Sequence, residues 1–243
     1  MSDLSSIAET ARKLAFANLR PKNAATLILV DRSGPEPKVL MGKRHRSHAF
    51  LPERFVFPGG RIELADRNAA ATAPLHPRVE ARLMCCLPRP DPKSARAFAL
   101  AAIRETFEET GIVLGRRIDG TPPAAGGPWG DFHRNGFLPD LSGLRFIARA
   151  ITPPRSRRRF DARFFAIDSS AIAHRTGNVV HAGAELTEIV WVSIAEAMHL
   201  PLPDITEIIL QDLKARVAAG FEFDASVPFY RMQRNRFTRE IIR

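Results

Sequence analysis

The chain has 243 residues, a formal net charge of +10 and 45% hydrophobic residues, enough apolar material for one sizeable core. No apolar run reaches the roughly 18 residues that span a bilayer, which leaves no membrane partner to expect. Neither end reads as a secretory signal, a retention signal or a peroxisomal address, so the expected location is cytoplasmic. The two cysteines, Cys85 and Cys86, are sequence neighbours, which disfavours a disulfide and offers no C-x-x-C pair for zinc. His45 and His48 stand three apart with no other soft ligand nearby and read as solvated loop residues. The basic residues are dispersed apart from the run Arg155-Ser156-Arg157-Arg158-Arg159. Such a surface attracts RNA, acidic membranes and phosphorylated metabolites alike, and charge does not choose among them.

In chain order, Leu4, Ile7, Ala8, Ala11, Leu14 and Ala15 recur at helical spacing, which predicts an amphipathic helix over 4–19. Residues 24–30 read as a buried strand, 31–37 as a turn and 38–42 as the partner strand of a hairpin. A short strand at 54–57 runs into Pro58-Gly59-Gly60. Pro77 and the prolines at 88, 90 and 92 bracket a short helix at 77–87. A stronger helix is expected over 94–110, ending at Gly111. The Gly/Pro-rich stretch 115–140 reads as a long surface loop. Strands are expected at 144–151, 163–167 and 187–192, and helices at 194–198 and 204–219. The residues after Gly220 stay unassigned. Strands interspersed with helices predict an α/β domain.

The residues that carry chemistry are Gly59-Gly60-Arg61-Ile62-Glu63, Asp66, and Arg104-Glu105-Thr106-Phe107-Glu108-Glu109-Thr110-Gly111-Ile112. On a helix, Glu105, Glu108 and Glu109 lie at i, i+3 and i+4 and share one face. Like charges so placed repel and pack poorly, unless a hard cation with a preference for carboxylate oxygen neutralises them. Taken alone, the trio also fits a solvated acidic helix face. The paired glycines upstream change that balance, because they let backbone approach a ligand closely.

Together these residues resemble the Nudix box, G-x5-E-x7-R-E-U-x-E-E-x-G-U, where U is a bulky aliphatic residue. Gly60 is the first glycine, and Arg104, Glu105, Glu108, Glu109, Gly111 and Ile112 match the second half. Three departures stand out: Asp66 occupies a glutamate position, Thr106 an aliphatic one, and the seven-residue spacer has become thirty-seven, residues 67 to 103. The long spacer resembles the subgroup that includes the peroxisomal coenzyme A diphosphatases, as does the stretch Arg159-Phe160-Asp161-Ala162-Arg163-Phe164-Phe165. The resemblance covers about residues 24–200 and reaches neither terminus.

It implies a mixed β-sheet sandwiched between α-helices, with an insertion at about 67–93 inside the loop-helix motif. The implied organisation is an N-terminal amphipathic helix within 1–22, a Nudix domain over 23–220 and a tail over 221–243. It further implies an Mg²⁺- or Mn²⁺-dependent pyrophosphohydrolase acting on a small nucleotide-diphosphate substrate, with coenzyme A or acyl-coenzyme A as the best guess. Glu108 and Glu109 are the leading metal ligands, with Glu105 third or acting as a base and the Gly59 carbonyl as an extra ligand. Arg104 is a catalytic candidate that anchors a neighbouring carboxylate. Glu188, or Glu185, is a base from outside the box. Gly60, Arg44, Arg46 and Arg61 are candidates for substrate phosphates. Trp191 stacks on a base or sits in the core. The insertion is expected to shape the pocket or a homodimer contact. The alternatives are cleavage of ADP-ribose, a dinucleotide or a capped RNA end, or a binding module without turnover whose support is the arginine run at 155–159.

Overall fold

A computed structural model of the chain describes residues 4–47, 51–120, 126–177 and 179–242; His48 lies outside them. The helices are α1 (Leu4–Arg12), α2 (Pro77–Cys85), α3 (Pro92–Thr110), α4 (Gly127–Arg134), α5 (Ile194–Ala197) and α6 (Asp204–Ala218). The strands are β1 (Lys22–Asp31), β2 (Lys38–Arg44), β3 (Phe55–Val56), β4 (Gly59–Arg61), β5 (Ile112–Arg117), β6 (Phe137–Pro139), β7 (Arg145–Ile151), β8 (Phe160–Asp168), β9 (Ile172–Arg175), β10 (Leu186–Ser193), β11 (Val227–Gln233) and β12 (Arg236–Ile242). The main sheet runs β10-β2-β1-β8-β7-β11-β12, with β3 on β2 and β4 on β1. Pairs β1–β8 and β7–β11 are parallel and the other pairs antiparallel, so the sheet is mixed. A smaller sheet, β6-β5-β9, lies beside it.

Each face of the main sheet carries its own core, as the period-two alternation of strands requires. Ala25, Leu27 and Leu29 of β1 face α2 and α3, while Ile28 and Val30 face α1, α5 and α6. This is the expected sandwich of a mixed sheet between helices. The Arg159–Phe165 stretch obeys the same alternation. Arg163 is buried on the α3 side, 4.0 Å over the Phe98 ring, and pairs with Asp161 at 3.0 Å. Asp161 also receives two bonds from Arg149 on β7, at 2.8 and 2.7 Å.

The sheet forks at β1. Val30 and Asp31 pair with β2, but Ala24, Ala25 and Thr26 pair with Arg61, Gly60 and Gly59 of β4 on the same edge. The strand pair β3–β4 therefore wedges between β1 and the far end of β2. Side chains from α3, on one face, reach space on the other through that fork.

Three expectations need correction. The first helix stops at Arg12 rather than continuing to 19, because the following chain is pinned elsewhere: the Phe16 amide donates to the Arg155 carbonyl at 3.1 Å, and Arg159 donates to Asn18 and to the Leu19 carbonyl. The 115–140 stretch is not an irregular loop. It holds the end of β5, α4 and β6, and α4 buries Trp129 and Phe132 against Phe107 despite its glycines. The residues after Gly220 form the β11–β12 hairpin, which joins the sheet by parallel pairing of Phe229 and Tyr230 with β7.

The connection into that hairpin is held by two arginines. Arg216 is buried and donates to the carbonyls of Phe146, Ala225 and Ser226 at 2.6, 3.0 and 2.6 Å. Arg82 of α2 donates to the carbonyls of Phe223, Asp224 and Ala225. Removing the Arg216 guanidinium strands buried carbonyls, each of which costs ~1–3 kcal/mol when unsatisfied. Arg216→Ala is therefore expected to lose about 3 kcal/mol or more in urea denaturation, and a loss below about 1 kcal/mol contradicts the clasp.

Candidate active site

Asp91 caps α3 by accepting from the Lys93 and Ser94 amides, with Pro92 at the first helical position; Gly111 ends it at φ 72°. The helix stands against β1 and β4 and is buried along most of its length. Its last two turns carry Arg104, Glu105, Glu108 and Glu109.

Arg104 is 1% exposed and every polar contact it makes is internal. Its Nε and Nη2 donate to the Asp66 carboxylate at 2.8 and 3.1 Å. Nη1 donates to Glu105 at 2.9 Å and to Glu108 at 2.8 Å, and Nη2 also reaches the Arg61 carbonyl at 2.8 Å. Burial alone would favour loss of the proton, but Asp66 and the two glutamates outweigh it and hold the guanidinium firmly charged. Asp66 is fully buried and also accepts from the Trp129 indole at 3.0 Å and the Glu63 amide at 2.8 Å. The shorter aspartate thus fits a site saturated by four hydrogen-bond contacts. The fork-to-fork geometry suits guanidinium and carboxylate.

Glu105 and Glu109 face a cavity of about 600 Å³ at the fork of the sheet, together with Arg44, Gly59, Gly60, Arg61 and Glu185. A β-carbon on Gly60 would fall on the Glu105 carboxylate, and one on Gly59 would lie 2.6 Å from the Ala25 carbonyl oxygen. The glycines make room for the carboxylates and for close strand pairing. The Gly59 amide donates to Glu109 at 3.3 Å. Arg44, at the end of β2, donates at 2.9 Å to Glu185, the residue before β10.

The charge here is not balanced. Glu105 is pushed up to about 7, first by burial and further by Glu108, against the pull of Arg104. Glu109 is raised well above the usual carboxylate range by burial and by the negative charges of Glu185 and Glu105, with Arg44 and the Gly59 amide only partly offsetting them. Among the described residues no three His, Cys, Asp or Glu side chains already converge as a closed metal cage. The donor set still fits a divalent cation of the magnesium type. It offers hard oxygen ligands, excess negative charge and an open cavity, and Mg²⁺ is commonly held by one or two carboxylates plus waters and substrate phosphates.

The geometry reorders the sequence expectations. Glu105 and Glu109 line the cavity, whereas Glu108 turns onto Arg104 and is not among the lining residues. Arg44, Arg61 and Gly60 line it, but Arg46 is an exposed turn residue outside it. Glu188 is exposed on β10 and outside the cavity, because a β-bulge between Leu186 and Glu188 shifts its register; Glu185, at the mouth, is the nearer carboxylate. Trp191 packs against the core on the α3 side. No residue of 67–93 lines the cavity; α2 packs on α3 and is tied to residues 223–225. Sequence reasoning missed Asp66 as the partner of Arg104 and Trp129 as the partner of Asp66. An aromatic pair, Trp129 and Phe132, in an otherwise Gly/Pro-rich stretch was the available signal.

No family model matches the chain. It is similar to the acyl-coenzyme A diphosphatase NUDT19 of Gallus gallus, 26% identical over 73% of this chain and 62% of that protein, so the match spans less than two thirds of that relative's length. It is also similar to the crystal structure of a Nudix hydrolase from Alicyclobacillus acidocaldarius, with a TM-score of 0.62 and 28% identity over 83% of this chain and 93% of that one.

Two outcomes follow from the charge balance. Asp66→Ala leaves the Arg104 guanidinium buried against fewer partners and is expected to cost ~3–5 kcal/mol in chemical denaturation; a cost under about 1 kcal/mol contradicts the arrangement. The raised pKa values favour the protonated carboxyls in the fold, so this contribution is full below the unfolded value and fades as pH rises through about 7. With chelator present, the melting temperature should fall between pH 5 and pH 8, roughly the range set by that linkage. Mg²⁺ should restore it increasingly towards pH 8, because the cation binds the ionised carboxylates. A Mg²⁺ effect that is constant or shrinks with pH contradicts the assignment.

Proposed function

We propose that this chain, which belongs to the Nudix hydrolase superfamily, hydrolyses the diphosphate bond of a nucleotide-linked substrate, and that the substrate is coenzyme A or an acyl-coenzyme A. The observation that carries the hydrolase reading is the Glu105–Glu109 pair, facing a cavity beside Gly59-Gly60 with both carboxyls raised above their ordinary range by burial and by neighbouring carboxylates. Similarity to an acyl-coenzyme A diphosphatase supports the choice of substrate, as does the Arg159–Phe165 stretch.

Glu105, Glu109 and the Gly59 backbone would hold a divalent cation, Mg²⁺ or Mn²⁺. When bound, that ion supplies positive charge for the diphosphate oxygens and acidifies water. The chain's own residues do the positioning, on which displacement at phosphorus mostly depends. Arg104 fixes the Glu105 carboxylate from behind, donating at 2.9 Å while anchored on Asp66. Arg61, exposed at the cavity wall, offers its guanidinium to substrate phosphate. Glu185, held by Arg44 at the mouth, is the carboxylate best placed to accept a proton from water. Glu108 stabilises the Arg104 network and stands ready as a further oxygen ligand.

In the arginine run that supports the binding-module alternative, Arg159 is committed to Asn18 and to the carbonyls of Thr152 and Leu19, whereas Arg155, Arg157 and Arg158 are exposed and Arg158 lines the cavity. Among the described residues no helix is long and apolar enough to cross a membrane.

The test is a product analysis with Mg²⁺ or Mn²⁺ and a panel of coenzyme A, acyl-coenzyme A, ADP-ribose, dinucleotides and capped RNA. Expected are 3′,5′-ADP and a phosphopantetheine from the coenzyme A compounds. Glu109→Gln should lower kcat by about a hundredfold or more, as loss of a major electrostatic element does, while the melting temperature is retained. Preferential cleavage of another class reassigns the substrate, and full activity in Glu109→Gln contradicts the site.

A further inference from the structure

The cavity extends well beyond the carboxylates. From Glu105 and Glu109 it runs under α1, along the face of the sheet opposite α3, to Phe237 of β12. Its floor is a row of small side chains on three adjacent strands: Ala24 of β1 faces Ala162 of β8, which faces Ala150 of β7. Its roof is Ile7, Thr10 and Ala11 of α1. Both ends of the chain, which the catalytic motif does not reach, therefore build this arm. Its placement is not accidental packing, because the chain just after α1 is fastened to the 155–159 segment by Phe16, Asn18 and Leu19, and Arg12 donates to the Asn235 carbonyl in the β11–β12 turn.

We propose that this arm is a hydrocarbon subsite, which seats the acyl chain of a thioester while the diphosphate lies at Glu105 and Glu109. The proposal rests on the coenzyme A reading above. Three features favour a hydrocarbon. The arm is continuous with the carboxylate end of the same cavity, so its occupant belongs to the molecule that reacts there. Ile7, Ala11, Ala24, Ala150, Ala162 and Phe237 give its floor, roof and far end an apolar surface, while Thr10, Thr152, Ser156 and Arg158 supply the polar part of the lining. At about 600 Å³ the whole cavity is larger than a diphosphate needs and falls in the range that encloses a drug-sized ligand.

The experiment compares kcat/KM for acetyl-, octanoyl- and dodecanoyl-coenzyme A in the full chain and in two variants. Ala162→Phe fills the arm from the floor. Thr10→Trp fills it from an exposed position on α1, where the core is not disturbed. Each methylene buried is worth about a fourfold change, so the unmodified chain should prefer dodecanoyl over acetyl by at least about tenfold. Both variants should compress that preference to about twofold or less. A flat chain-length profile in the unmodified chain overturns the subsite while leaving the diphosphatase reading intact. Equal losses on acetyl- and dodecanoyl-coenzyme A in both variants also overturn it, and assign the arm to the nucleotide.

A second measurement is independent of turnover: binding of cis-parinaric acid, followed by its fluorescence in chelator. Binding that both variants weaken by about tenfold or more supports the subsite even if no coenzyme A compound is cleaved, in which case only the substrate reading fails. No binding to the unmodified chain, or equal binding to all three, overturns the subsite.

Discussion

One buried cation organises this molecule. Arg104 has no access to water, so its charge must be met from inside, and the fold meets it with Asp66, Glu105, Glu108 and the Arg61 carbonyl. Those partners come from β4, from the segment after it and from α3 itself, so satisfying one guanidinium locks the glycine-bearing strand to the helix. The same bonds fix where Glu105 points. Trp129, brought by α4, closes the far side of Asp66 and ties a third segment to the network. A buried ion pair is weak evidence for stability by itself. Here its consequence is positional: it sets the face that Glu105 and Glu109 present.

The forked sheet supplies the second constraint. Because β4 rather than β2 pairs with the first half of β1, a gap opens where the helix on one face communicates with space on the other. Glycine at 59 and 60 keeps that gap clear of side chains. Glu105, Glu109 and Glu185 gather at the gap, where Arg44 offsets Glu185 and only partly offsets Glu109. An unneutralised carboxylate set beside an open cavity is an arrangement a divalent cation stabilises.

Much of the fold was legible in the sequence where local physics dominates. Helix α3 announced itself through Gly111 at its end, although it starts at Pro92, capped by Asp91, rather than at 94, and β1 announced itself through the largely apolar run 24–30. What escaped had non-local causes. The residues Gly127-Pro128-Trp129-Gly130 have poor helix propensity and become α4 because Trp129 and Phe132 are buried against α3. The β11–β12 hairpin carries so many arginines that its apolar alternation is obscured, although Arg231 pairs with Glu240 across the strands. At the site, helical spacing put Glu105, Glu108 and Glu109 on one face, but could not say that Glu108 would turn onto Arg104 while Glu105 and Glu109 line the cavity. Spacing equally could not show that a bulge turns Glu188 away and leaves Glu185 at the mouth.

The central claim is that Glu105 and Glu109, left unbalanced by Arg104, form the cation site. Titration of Mn²⁺ followed by electron paramagnetic resonance tests it without any assumption about substrate. The unmodified chain should bind Mn²⁺, and Glu109→Gln should weaken that binding by about tenfold or more, the scale on which loss of a ligand-shell group acts. Undiminished binding in Glu109→Gln, or no binding to the unmodified chain at pH 8, would contradict the account.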